Sequence, residues 1–392
     1  MTIIPSIVSA LFSILLWLYM RHNLKRNFVN LFQIGHLWLY VFDFIFVFCA
    51  FFRFIYRIQN SYLNNSAFYF LINLSYVLLG FLGLITLVFI LLDLKHTFDN
   101  FFKRSPPALA DLGRREFFKK NLAITGIATS TMIAGAGYAN SFDPQVSTIH
   151  IPLSEAHKNL NGLKIVQLSD IHIGPTLKKE FCEMLVTKVN ALKPDLIAIT
   201  GDMVDGRVAY LKDELLPFLN FQSRLGTYFI TGNHEYYWYA NEWVAWARSS
   251  GMTPLMNENV KLSHNNTDFF LAGVTDPSSN RLDKKNASDP KKAVLGIPTE
   301  AYKILLAHQP NACFRACKAG FHTQLSGHTH GGQGFPWNII VTLLQPYVRG
   351  LNKHEGMNVY VHSGTGFWGP PNRFMVNSEI AEIIFTSTGT KV

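Results

Sequence analysis

The stretch LKIVQLSDIH, Leu163–His172, decides the fold of the second part of this 392-residue chain. A short apolar run ends there in an aspartate, and a histidine follows two positions later. The same arrangement of an apolar run followed by a polar metal-ligand type recurs in LIAITGD (196–202), TYFITGN (227–233), YKILLAH (302–308) and TQLSGHTH (323–330). Short apolar runs bounded by turn residues are typical of buried strands. Polar stretches of helical length, such as Lys178–Leu192, separate the early ones, so we expect an α/β fold with a sheet covered on both faces.

The β-like runs predicted after residue 147 include nine ranges. They are Thr148–Pro152, Leu163–Leu168, Leu196–Thr200, Thr227–Thr231, Phe269–Val274, Tyr302–Leu306, Thr323–Leu325, Val359–Val361 and Glu379–Phe385. Functional residues in α/β sheets cluster beyond the carboxyl ends of the strands. The polar residues that follow these runs are therefore expected to share one site.

The residue types at the strand ends indicate metal binding. In an extended exit from a strand, residues i and i+2 point the same way, so Asp170 with His172, and His328 with His330, are expected to converge. Carboxylate, amide and imidazole donors suit Mn²⁺, Fe, Zn²⁺ or Mg²⁺. Five loops with such donors exceed what one ion in an open catalytic site requires, which predicts two divalent metal ions.

These motifs resemble those of the calcineurin-like metallophosphoesterase superfamily, whose blocks run D-x-H, G-D-x-x-D, G-N-H-E/D, H and G-H-x-H. The resemblance covers about Leu163 to Phe385 and implies a β-sandwich flanked by helices. It assigns Asp170, His172 and His330 to a first metal, Asp202 to a bridging position, and Asn233, His308 and His328 to a second metal.

The resemblance further implies that His234 is the general acid or transition-state stabiliser and that Glu235 orients it. Asp205 stands where purple acid phosphatases carry a tyrosine ligand, which disfavours that branch. The tail GTGFWGPPNR (364–373) and the extension GGQ (331–333) look like the membrane-anchored bacterial branch. Arg373 is a candidate for pairing with substrate phosphate, and a structural ion pair is the alternative.

The first part of the chain is of a different kind. Hydrophobic residues make up 48% of the chain and charged residues only 16%, a balance that points to membrane-spanning segments. Apolar runs at 3–20, 28–52 and 68–94 reach or exceed the roughly 20 residues that cross a bilayer as a helix. We therefore expect a three-helix transmembrane region over 1–94, a basic cytoplasmic loop over 95–120 and a phosphoesterase domain over 148–390.

The less apolar stretch 121–140 is predicted as a fourth crossing or a signal anchor. The cluster RREFFKK (114–120) before it resembles a twin-arginine export signal, and an ordinary basic cluster beside a membrane is the alternative. With basic loops held inside, four crossings predict a multi-pass protein of the cytoplasmic membrane whose catalytic domain lies on the outer, periplasmic side. The same loops account for much of the net charge of +9, so no nucleic acid is expected as a partner.

Two features bear on substrate and transport. Asp43 lies within the second apolar run, with His36 as a possible partner; a hydrogen-bonded carboxyl in a helix bundle is favoured over an ion relay. The apolar segments Tyr236–Trp246 and Phe335–Tyr347 either rim the mouth of the site, where they would grip a lipid, or pack against the sheet.

Together the patterns predict a membrane-anchored, metal-dependent phosphohydrolase that cleaves phosphate ester or pyrophosphate bonds through a metal-activated hydroxide. A phospholipid or lipid-linked phosphate is the favoured substrate class. Soluble nucleotides or cell-wall phosphates are the alternative substrates, and a non-catalytic membrane receptor or scaffold is the alternative function.

Overall fold

A computed structural model of the chain describes residues 3–58, 66–102, 110–334 and 337–387. The chain forms two compact units, Met1–Ala136 and Gly137–Val392. The division falls within the stretch 121–140 that the sequence pattern set apart as a fourth apolar segment.

The first unit is helical. Its helices are α1 (Ile3–Leu24), α2 (Asn30–Phe32), α3 (Leu37–Ile58), α4 (Ser66–Phe101) and α5 (Ala110–Ala139), the last of which continues into the second unit. The apolar run 28–52, expected as one helix, is divided, because the left-handed backbone of Gln33 (φ 54°) ends α2 and α3 begins only at Leu37. Two of the described helices are long and apolar enough to cross a membrane, over Ala67–Lys95 and Phe117–Ala139, and Leu37–Phe52 is a shorter apolar helix.

Two carboxylates of the apolar helices are paired with arginines. Asp43 accepts hydrogen bonds from Arg21 Nε (3.1 Å) and Trp17 Nε1 (2.8 Å), so its observed partners lie on α1 and do not include His36. Asp93 on α4 is paired in the same way with Arg26. A buried or lipid-facing carboxylate is costly unless it is paired, and these contacts satisfy both.

The second unit is a sandwich of two six-stranded sheets. The strands are β1 (Gln145–Leu153), β2 (Lys164–Leu168), β3 (Leu196–Thr200), β4 (Thr227–Ile230), β5 (Thr253–Pro254), β6 (Glu258–His264), β7 (Thr267–Gly273), β8 (Tyr302–Leu306), β9 (Thr323–Ser326), β10 (Gly350–His354), β11 (Met357–Val361) and β12 (Glu379–Ser387). The first sheet has the order β1-β12-β2-β3-β4-β5 and the second β10-β11-β9-β8-β7-β6. The strands β2, β3 and β4 run parallel, as do β7, β8 and β9.

Helices pack on the outer faces of both sheets, among them α6 (Lys179–Ala191) and α9 (Ala240–Ser249) on the first and α12 (Cys313–Lys318) on the second. The other helices of this unit are α7 (Val208–Leu211), α8 (Asn233–Tyr237), α10 (Ser279–Leu282), α11 (Pro290–Ala293) and α13 (Trp337–Leu344).

The core has three layers of apolar contact, and strand β2 shows how they arise. Ile165 faces the interior between the sheets, where it packs in one cluster with Phe269 of β7. Val166 faces the opposite way, into a cluster that includes Leu185 of α6 and Trp243 of α9. Both faces of the strand are buried, and three of its five residues, Ile165, Val166 and Leu168, are apolar. The expected α/β fold, a β-sandwich flanked by helices, is confirmed.

Three strands have no counterpart among the predicted runs: β5, β6 and β10. The first has only two residues, and the other two are the outer strands of the second sheet. Both outer strands carry polar side chains, ENVKLSH and GLNKH, and are partly exposed along most of their length. An edge strand with one face in water lacks the apolar run by which the central strands were recognised.

Candidate metal centre

The polar residues predicted for the site follow the carboxyl ends of five strands. Asp170 follows β2, Asp202 follows β3 and Asn233 opens α8 after β4, all from the first sheet. His308 follows β8 and His328 follows β9, from the second. Because the strands within each set are parallel, their loops emerge at one end of the sandwich and meet there.

A first group of donors is formed by Asp170, His172 and His330. The Nε2 atoms of the two histidines are 3.0 Å apart, and His330 Nε2 is 3.4 Å from Asp170 Oδ1. One potential ligand atom from each of the three lies within 4.8 Å of the others, and all three residues are buried. Three donors converging on one point fit a divalent ion.

Asp202 lies between this group and a second one. Its Oδ2 is 3.8 Å from His172 Nε2 and 3.4 Å from His308 Nε2, so one carboxylate oxygen approaches both sides of the centre. Asn233 Oδ1 is 3.3 Å from the same nitrogen of His308. The ring of His328 is 5.1 Å from that of His308, centroid to centroid.

Hydrogen bonding orients His308 for metal binding. Its Nδ1 lies 2.8 Å from the carbonyl oxygen of Thr200, and a carbonyl can only accept, so Nδ1 carries a proton. Nε2, the other ring nitrogen, faces Asp202 and Asn233, and it is the atom left to bind a metal when the ring is neutral. Metal-bound histidines commonly donate their other ring N–H in this way, so the donor set fits a divalent metal both in chemistry and in orientation.

Neighbouring charges shift the pKa values of the donors in different directions. Burial alone would raise the pKa of Asp202, but His308 and His234 outweigh it and hold that pKa well below the ordinary value. Burial would lower the pKa of His308, but the Asp202 carboxylate raises it well above the usual range. Burial, with His172 and Arg373, keeps the pKa of His330 low.

His234 lies at the start of α8, beside the donors. Its backbone N–H donates to Asp202 Oδ1 (2.8 Å), and its ring Nδ1 is in hydrogen-bond contact with Asp205 Oδ1. Burial would lower the pKa of His234, but the carboxylates of Asp205 and Asp202 outweigh it and raise the pKa to about 9. The imidazolium form therefore persists near neutral pH, with Nδ1 fixed by Asp205.

Glu235 does not make the contact that was expected of it. Its carboxylate accepts hydrogen bonds from the backbone N–H groups of Gly232 (2.6 Å), Asp202 (3.0 Å) and Met203 (2.8 Å), and so ties two strand-end loops together. Asp205 is the residue that orients the ring of His234, and its Oδ2 also lies 3.2 Å from His172 Nδ1. The second aspartate of the GDMVD motif was a signal for this role, since it follows Asp202 by only three positions.

The ligand-bearing loops have an unusual backbone. Asp170, His172, Asp202, His328 and His330 all have positive φ, between 50° and 72°. Residues other than glycine and asparagine rarely adopt this left-handed backbone conformation, which costs on the order of 1 kcal/mol or more per residue. Gly327 allows the loops to approach closely, since a Cβ there would lie 1.9 Å from Ser169 Oγ and 2.3 Å from Asp170 Oδ2.

Arg373 is fully buried behind the centre. Its NH1 donates to the carbonyls of His330 (3.1 Å) and Ser363 (2.5 Å), and its NH2 contacts His330 Nδ1 (3.1 Å) and donates to the Gly366 carbonyl. Burial lowers the pKa of Arg373 to about 10. A guanidinium engaged in this way favours a role in positioning the His330 loop, and its predicted contact with substrate phosphate stays a prediction.

Two exposed aromatic side chains flank His234. The ring centroid of Tyr237 is 5.2 Å and that of Trp368 5.8 Å from the imidazole. Of the segment Tyr236–Trp246, only the beginning lies beside the centre, because Trp243 is buried in the core and donates to the Gly206 carbonyl (2.9 Å).

The sequence of the second unit matches known proteins. Residues 163–332 match the family model described as calcineurin-like phosphoesterase. A Bos taurus protein, "Transmembrane protein with metallophosphoesterase domain", is 40% identical over 270 residues, which cover 66% of this chain and 61% of that protein. An uncharacterized metallophosphoesterase of Helicobacter pylori is 40% identical over 241 residues, 61% of this chain and 63% of that protein.

A third relative is matched over most of its length. It is an uncharacterized metallophosphoesterase of Aquifex aeolicus, 31% identical over 229 residues that cover 58% of this chain and 86% of that protein. The bovine and Helicobacter proteins, by contrast, are spanned over less than two thirds of their length. With its strand-end motifs, its two-sheet fold and these relatives, the chain belongs to the calcineurin-like metallophosphoesterase family.

Proposed function

We propose that this protein is a membrane-anchored phosphohydrolase that uses two divalent metal ions, Mn²⁺, Fe, Zn²⁺ or Mg²⁺. The observation that carries the proposal is the position of Asp202, whose Oδ2 lies within 4 Å of the Nε2 atoms of both His172 and His308. The first ion would be held by Asp170, His172 and His330. The second would be held by Asn233, His308 and His328, and Asp202 would bind both ions.

When bound, the two ions would supply an activated water and polarise the phosphoryl oxygens. The chain's own contribution to bond cleavage is proton transfer. As the oxygen of water bonds to phosphorus, the water releases one of its protons to solvent, and the bond from phosphorus to the leaving oxygen breaks. The leaving oxygen takes a proton from His234 Nε2, which solvent later restores. Asp205 fixes Nδ1 of the same ring and stabilises its imidazolium form, so that Nε2 is the nitrogen that faces substrate.

A phospholipid or lipid-linked phosphate is the substrate class that we favour. Support comes from two candidate membrane spans on the same chain and from the exposed rings of Tyr237 and Trp368 beside His234. Aromatic side chains of this kind are suited to the boundary between water and lipid. Soluble phosphate esters would need no such surroundings.

We also propose that the catalytic unit lies on the outer side of the cytoplasmic membrane. Lys119 and Lys120 stand at the start of the candidate span Phe117–Ala139, and basic residues at a span favour the cytoplasmic end. The chain beyond Ala139 would then be exported. A reporter that is active only outside, fused after Val392, tests this orientation, and activity of a cytoplasmic reporter at that position would contradict it.

The hydrolase proposal is tested with the full-length protein in nanodiscs, stripped of metal and reloaded with Mn²⁺. Aryl phosphate mono- and diesters and lipid phosphates are offered as substrates, with Asp202→Asn as the control. We expect metal-dependent release of phosphate or alcohol that the variant lacks. Hydrolysis no faster than that of Asp202→Asn on every substrate would refute the proposal, and faster turnover of water-soluble esters than of lipid phosphates would favour a soluble substrate.

A further inference from the structure

Helix α13 projects from the loop that carries His328 and His330. It begins against Gly332, where an added Cβ would lie 2.1 Å from the Cα of Asn338. The chain returns to the same loop at Val348, whose carbonyl accepts a hydrogen bond from Thr329 Oγ1 (2.6 Å). Both ends of the helical excursion are therefore fixed to the candidate metal centre.

The outer face of this helix is apolar and exposed. The four aliphatic side chains Ile339, Ile340, Leu343 and Leu344 are exposed to 58%, 40%, 83% and 74%. Exposing apolar surface to water is unfavourable, and a concentrated apolar patch marks a surface that another apolar phase covers.

The neighbouring loop extends this apolar character. Gln333, just before the helix, donates from Nε2 to the carbonyl of Trp368 (2.8 Å) and accepts from the Trp368 backbone N–H (2.9 Å). Trp368 and Met375 of that loop are themselves exposed. The apolar face of α13 and the indole ring of Trp368, which flanks His234, therefore lie on two loops that are hydrogen-bonded to each other.

The same pair of loops is fixed to the end of a candidate membrane span. The span ends at Ala139, and the carbonyl of Gly137 accepts a hydrogen bond from the backbone N–H of Arg373 (2.9 Å). Only residues 140–144 separate Ala139 from β1, a length that extends at most about 18 Å. A bilayer is therefore within reach of this end of the second unit.

Charge on strand β10 agrees with a lipid surface. Leu351 and Lys353 of this strand are exposed, and so is Arg349, which precedes it. Side chains at i and i+2 of a strand share one face, so Leu351 and Lys353 lie on the same face, while Gly350 (φ 76°) turns the chain between Arg349 and Leu351. Anionic headgroups attract such cations, and an apolar side chain beside them enters the interface.

We propose that the exposed face of α13, formed by Ile339, Ile340, Leu343 and Leu344, inserts into the headgroup region of the bilayer that the chain itself spans. The helix lies in the interface, with its apolar side in the acyl boundary and Arg349 and Lys353 among the headgroups. The metal centre, to which both ends of the excursion are fixed, then opens at the depth of lipid phosphates. Insertion of this helix does not require hydrolysis, so a test of insertion and a test of the proposed activity can fail independently.

The depth of a fluorophore tests this directly. In full-length protein with Cys317→Ser, which removes the one cysteine of the four that is not buried, Leu343→Cys is labelled with an environment-sensitive dye. The protein is placed in nanodiscs at one copy per disc, with and without lipids brominated near the headgroup end of the acyl chain. We expect a blue-shifted emission and at least a twofold quenching by the brominated lipid.

Leu295→Cys is the matched control, since Leu295 is also an exposed leucine (69%) but lies beyond α11, outside the proposed surface. Its dye should be quenched by aqueous iodide and not by brominated lipid. A label at Ile339→Cys provides a second, independent position on the helix. Iodide quenching at both helix positions equal to that at Leu295 would overturn the proposal. A non-polar signal that brominated lipid fails to quench would overturn it in favour of a protein partner on this face.

Discussion

The half of the candidate centre built on the first sheet differs in charge from the half built on the second. Loops of the first sheet bring the carboxylates of Asp170, Asp202 and Asp205, with Glu235 behind them, and also His172 and Asn233. Loops of the second sheet bring the imidazoles of His308, His328 and His330. Carboxylates attract any divalent cation, whereas imidazoles favour transition ions and fix the direction of approach. Neither sheet alone supplies a complete set, so the site depends on the packing of one sheet against the other.

The largest effect is expected from Asp202, because it serves both sides of the centre. Asp202→Asn should lower kcat/KM roughly 10³-fold and His308→Gln roughly 10²-fold, since the proposal has Asp202 bind both ions, and its loss would remove several kcal/mol of charge stabilisation. Metal content after dialysis, measured by mass spectrometry, should fall in both variants. Asp213→Asn, on the surface, is the control. A loss of activity in His308→Gln as large as that in Asp202→Asn would erase the distinction between the halves.

The second effect concerns the pH dependence set by Asp205. The pKa of His234 is raised to about 9, so its protonated form is present below that pH and is lost as pH rises through it. Asp205→Asn removes a carboxylate that raises this pKa, so the alkaline limb of kcat/KM should move to lower pH. At pH 8 the activity should fall about 10- to 100-fold, as for other residues that support a catalytic imidazole. If the alkaline limb of the kcat/KM profile does not move in Asp205→Asn, the proton donated to the leaving oxygen comes from a group other than His234.

A third, smaller effect is expected from the carboxylate that bonds only to backbone. Glu235 accepts from three N–H groups, and burial with the neighbouring Asp202 raises the pKa of Glu235 to about 7. Glu235→Gln replaces one acceptor oxygen by an N–H₂ donor, which should cost about 2 kcal/mol and lower the thermal midpoint of the second unit by about 4–8 °C. Glu180→Gln, an exposed glutamate on α6, should leave the midpoint unchanged. An unchanged midpoint in Glu235→Gln as well would show that these hydrogen bonds contribute little.

The smallest effect is expected from Arg373, which contacts the His330 loop of the half of the centre built on the second sheet. If the guanidinium positions the His330 loop, Arg373→Lys should weaken metal affinity by a few-fold, and KM for an aryl phosphate should not change at saturating metal. Isothermal titration with Mn²⁺ and steady-state kinetics separate the two quantities. A raised KM with unchanged metal affinity would instead support the predicted contact with phosphate.

Sequence patterns were most informative where a residue is buried on all sides. The central strands and the donors that follow them could be predicted because β2, β3 and β4 are buried on both faces and mostly apolar, and each of them ends in a polar turn. The outer strands β6 and β10 escaped prediction because one face meets water. The role of Glu235 depends on which loop lies opposite, and no spacing along the chain encodes that distance. The GDMVD motif places Asp205 near the site, but its partner His234 lies on another loop. The pairing of Asp43 with Arg21 likewise joins two helices that lie apart in the sequence.

The left-handed backbone of five donor residues has a consequence for the life of the protein in the cell. Each such residue holds a conformation that its side chain disfavours, and a bound cation is what would compensate for it. We therefore expect metal shortage to loosen strand-end loops of both sheets together, which hydrogen exchange with and without chelator would reveal. Newly made protein that has not met its metal would then differ from mature protein in resistance to proteases, so that quality control could tell the two apart before any substrate is cleaved.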